Sequence, residues 1–251
     1  MTRPWCTIAP LTADWLGLDF GLSEPFDLGN GVALSPRPDW LASVSITKNL
    51  GWLQREVVLG QTRYALRVDY DAASLGDPDP SWEGEARSIQ DTSAERLYLA
   101  NVALWLARPS PAAFGLVVHA EKRDAEWLHR QSYSFDSVKV HENDQRNRLS
   151  KYDLALARSL NLALVGLPRD GAPWASARVL WKTLTEDWWE GRYLLLWVAL
   201  EALFGPLSPG ETTYRLSQNL AFFLASNTGE AQATFRAAKE GRSLGSHACT
   251  S

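Results

Sequence analysis

The segment RYLLLWVALEALFG, residues 192–205, constrains this chain more than any other. Its residues from Leu194 to Phe204 are apolar on every side of a helix except at Glu201, and Gly205 and Pro206 end it. A helix that is apolar all round belongs inside a larger helical assembly. A lone carboxylate within it is costly unless a cationic or amide group meets it. Glu201 is therefore either a structural ion-pair partner that fixes helix register or a carboxylate that orients a catalytic Arg or His.

The flanking sequence has the same helical texture. Residues 151–167 carry Leu154, Leu156, Leu160, Leu162 and Leu164 and end at Gly166 and Pro168. Pro173 suits the first turn of a helix reaching about Trp188. Residues 212–225 form the next helix, stopped by Asn227 and Gly229, and a last one starts at Glu230. Residues 149–251 thus predict an all-α bundle of four or five helices. Residues 1–148 differ. The turn signals GLDFG, LGNG, SPRPD and LGDPDPSWEG separate short runs at 31–34, 41–47, 56–59 and 62–68, which read as strands. A helix over 88–108, stopped by Pro109 and Pro111, precedes expected strands at 114–119 and 132–140. The expected fold class is α+β: a mixed, β-rich leader of unknown role, then a helical bundle.

Composition excludes several classes of function. The chain has 251 residues, 45 % of them hydrophobic and 22 % charged, so it carries enough apolar surface for a packed core. A net charge of -4 provides no general basic field for coating nucleic acid. No apolar run approaches the ~20 residues of a membrane span. MTRPWCTIAP has no apolar signal core, and Cys6 and Cys249 are the only cysteines, which points to a reducing, cytoplasmic setting without disulfides. His119, His129 and His141 lack the i, i+4 spacing of a helical metal pair and read as surface or strand-end residues, so neither metal nor cofactor is expected. Arg146 and Arg148 read as a solvated loop, and Gly29-Asn30-Gly31 as a turn. The tryptophans Trp181, Trp188, Trp189 and Trp197 have near-helical spacing and read as packing between helices rather than as a base-stacking platform.

Near the end of the chain, Arg242-Ser243-Leu244-Gly245-Ser246-His247 pairs the two side chains needed to cleave RNA without a metal. A histidine can move the proton of the 2′-hydroxyl or of the leaving oxygen, and an arginine can stabilise charge on the phosphate oxygens. In order along the chain, three motifs resemble the Apea-like branch of the HEPN superfamily. The first comprises Arg192, Leu195, Trp197, Ala199, Leu200, Glu201 and Leu203. The second comprises Tyr214, Leu216, Ser217, Ala221 and Leu224, and the third Arg242, Ser243 and His247. The resemblance implies a helical bundle that forms a homodimer and acts on RNA as a metal-independent endoribonuclease, with Arg242 and His247 catalytic and Glu201 supporting. It also implies a role in toxin–antitoxin or phage-defence systems. Only four residues follow His247, so the bundle is expected to be C-terminally truncated. The alternative is a non-catalytic dimerisation or binding module with a degenerate site.

Overall fold

A computed structural model describes residues 4–11, 20–71, 83–108, 114–134, 149–186 and 188–204, together with a few single helical positions after 217. The chain divides into two compact units, Met1–Gly166 and Leu167–Ser251.

The first unit is built on a six-stranded antiparallel sheet in the order β2-β3-β4-β1-β5-β6. The strands are β1 (Pro4–Pro10), β2 (Phe26–Gly29), β3 (Val32–Pro36), β4 (Tyr64–Asp71), β5 (Leu116–Arg123) and β6 (Glu126–Ser134). β1, from the start of the chain, lies between β4 and β5 and is buried at six of its seven residues. Side chains alternate across a strand. Cys6, Ile8, Ala65, Leu116, Val118 and Ala120 accordingly share one core cluster, and Trp5, Thr7, Val117, His119 and Glu121 take the intervening positions.

Between β3 and β4 the chain covers that core with short helical pieces. These are a 3-10 turn (Asp39–Ala42), α1 (Val44–Thr47), α2 (Trp52–Glu56) and a π turn (Val57–Gln61). Leu41, Ile46, Leu50 and Val58 supply the buried contacts. The runs at 41–47 and 56–59, expected as strands, are therefore helical. An apolar run this short carries no periodicity that separates helix from strand. Here burial against the sheet decides. The Thr47 amide and hydroxyl both donate to Ser43 O, at 2.9 Å each, which closes the α1 turn.

The strand expected at 132–140 instead starts at Glu126. Asp124, at φ 54°, takes the left-handed conformation that Asp tolerates, and it turns β5 directly into β6. Residues 135–140 of that expectation lie outside the described residues. β2 and β3 are joined through Asn30 (φ 55°) and Gly31 (φ 72°), the backbone of a type I′ hairpin turn.

Two long helices complete this unit. α3 (Glu83–Ala107) packs against β1, β3 and β4, burying Leu97, Ala100 and Leu104. α4 (Lys151–Val165) packs against α3 and β2. Ser150 and Asp153 form a capping box at its start, with Ser150 Oγ accepting from Asp153 N at 3.2 Å and Ser150 N donating to the Asp153 carboxylate at 2.7 Å. α4 corrects the expected fold class. It should have opened an all-α bundle after the β region, but its buried stripe, Leu154, Ala157, Asn161 and Leu164, is used within the sheet unit. Asn161 Nδ2 donates to Leu28 O at 3.0 Å and Gly29 O at 3.3 Å, and Arg158 pairs with Asp27 at 3.1 Å. Leu162 closes on Gly29 so tightly that a Cβ there would lie 2.9 Å from its side chain. The described residues are α+β, and among them no all-α bundle follows the strands.

In the second unit, α5 (Ala172–Thr185) and α6 (Trp189–Phe204) pack on each other. Pro173 occupies the first turn of α5, where its missing N–H costs nothing. Ser176 Oγ donates to Ala199 O at 2.8 Å. Among the described residues no helix is long and apolar enough to cross a membrane.

Candidate functional site

α6 carries the first motif on one continuous helix. Trp197 and Ala199 are buried, and the Tyr193 and Trp197 rings meet edge-on at 6.1 Å. The helix is nonetheless not buried all round, as its composition suggested. Leu194, Val198 and Leu203 are more than 40 % exposed, and Trp188 and Trp189 more than 60 %. Glu201 is half-buried on α6. It is not without a partner in the fold. Arg242, Ser243 and His247 lie outside the described residues, as do Tyr214, Leu216, Ser217 and Leu224, while Ala221 of the second motif is helical and buried.

The first unit holds polar chemistry that sequence reasoning passed over. His119 is a fully buried mid-strand residue, not a surface or strand-end one. It faces Thr7 across the β1–β5 pairing, with Nδ1 2.8 Å from Thr7 Oγ1. Thr7 Oγ1 also donates to Tyr70 Oη at 3.3 Å, so one hydroxyl links the imidazole to the phenol. Nε2 makes no hydrogen bond among the described residues. The Tyr133 ring stands edge-on to the imidazole at 5.4 Å. Burial pushes His119 down to about 4, helped by His129 nearby, so the ring is neutral. Burial likewise pushes the Tyr70 phenol up to about 12.

Two residues further along β5, Glu121 is 2 % exposed. Arg130 Nε donates to it at 2.6 Å, Arg130 Nη2 donates to the same oxygen, and Arg123 Nε donates at 3.3 Å. Burial alone would raise the carboxyl, but the two guanidiniums outweigh it and hold it below the usual carboxylate range. The β-bulge explains this contact. His119 pairs with Gln131 and Ala120 with His129, which makes Arg130 the extra residue on β6 and frees it to reach Glu121.

A Thr hydroxyl 2.8 Å from an imidazole has the spacing of a nucleophile and its base. Both residues have zero exposure, however, so no substrate atom reaches them. The cluster instead joins β1 to β4 and β5 through side chains. Val117, His119 and Glu121 share one face of β5, but residues 116–121 are buried on both faces, so alternation gave no signal for it. Among the described residues no group of three His, Cys, Asp or Glu is placed to hold a metal ion.

No protein-family model, curated protein or solved structure matches the chain.

Proposed function

We propose that the chain acts on RNA through its second unit, as a metal-independent endoribonuclease of the HEPN type. The resemblance that supports this is confined to the residues from Arg192 onward, since α4 belongs to the sheet unit. The observation that carries it is α6: a continuous helix bearing Arg192, Leu195, Trp197, Ala199, Leu200, Glu201 and Leu203 in motif order, with Glu201 the one acid in its apolar body. In this proposal His247 takes the proton from a ribose 2′-hydroxyl or returns one to the leaving oxygen. Arg242 stabilises the charge that builds on the phosphate oxygens, and Glu201 orients Arg242. Two copies of the chain build the site together, in a cytoplasmic toxin–antitoxin or phage-defence role.

The test is incubation of the purified full chain with total RNA in EDTA, beside the His247→Ala and Glu201→Gln variants. Cleavage by the wild type, lost with His247→Ala, supports the proposal. A wild type that cuts no more than His247→Ala refutes it.

One observation favours a second, non-catalytic reading. Leu194 and Val198, one turn apart and both exposed, give one face of α6 an apolar strip suited to docking. In that case sedimentation shows self-association that Val198→Glu abolishes, and no RNA is cleaved by either form.

A further inference from the structure

We draw no further inference here: the strongest candidate, the exposed apolar strip of α6 at Leu194 and Val198, carries nothing beyond the docking role already given, because nothing in the structure shows what covers it.

Discussion

Gly29→Ala should destabilise the first unit by two separable effects. Gly29 sits at φ +84°, where an L side chain is strained by about 1–2 kcal/mol. The new Cβ would also lie 2.9 Å from Leu162 Cγ and Cδ2, and overpacking of this kind costs about 1–3 kcal/mol. The two together predict a loss of roughly 2–5 kcal/mol, or about 1–2 M in the urea midpoint followed by far-UV circular dichroism. Gly21→Ala is the control. Gly21 has φ +60° and nothing within 4 Å of its would-be Cβ, so it should show the conformational cost alone. Leu162→Ala, in the Gly29→Ala background, should recover the packing share as a coupling energy of about 1–3 kcal/mol. The reasoning fails if Gly29→Ala is no worse than Gly21→Ala, or if removing Leu162 recovers nothing.

Three further outcomes follow from the polar contacts. His119 is neutral in the fold, with a pKa of about 4 against 6.5 when exposed, so the unfolded chain takes up the proton first as the pH falls. The stability this represents, about 3 kcal/mol, is fully present above pH 6.5 and disappears toward pH 4. Urea titrations at several pH values should show that slope, and His119→Gln should flatten it; an unchanged slope contradicts the buried neutral imidazole. Glu121→Gln removes the carboxylate that Arg123 and Arg130 share, and should lower the midpoint by the equivalent of about 1–3 kcal/mol at pH 7, the arginines being partly exposed. Because the folded carboxyl is depressed, that difference should shrink as the pH falls through its folded value, and a constant difference would count against the ion pair. Asn161→Ala should cost about 1–3 kcal/mol by orphaning the carbonyls of Leu28 and Gly29, and hydrogen exchange should report faster opening of the β2–β3 hairpin. Exchange as slow as in the wild type would show that α4 is held by other contacts.

Elements whose signal is local were legible in the sequence. The Pro173 helix start and the Asn30-Gly31 turn rest on backbone rules that need no distant partner. Elements decided by tertiary burial were not. Val57 and Val58 have strand propensity, yet they lie in a π turn because the sheet needs a cover there. The stripe on α4 reads equally well toward helices or toward a sheet, and only the Asn161 contacts to β2 settle which it meets. β1 offered little pattern, since a strand buried on both faces has no alternation to show. The Thr7–His119–Tyr70 cluster joins three strands far apart in the chain, and no spacing rule foretells such a meeting.

The central place of β1 has a consequence during synthesis. Its partner in the buried Thr7–His119 contact is made 112 residues later, so β1 leaves the ribosome well before it can pair with β5. At ~5–20 residues per second, PWCTIAP waits for seconds as an apolar segment without its neighbours. Contacts this distant in sequence slow folding. β1 therefore completes its pairing only after β5 has been translated.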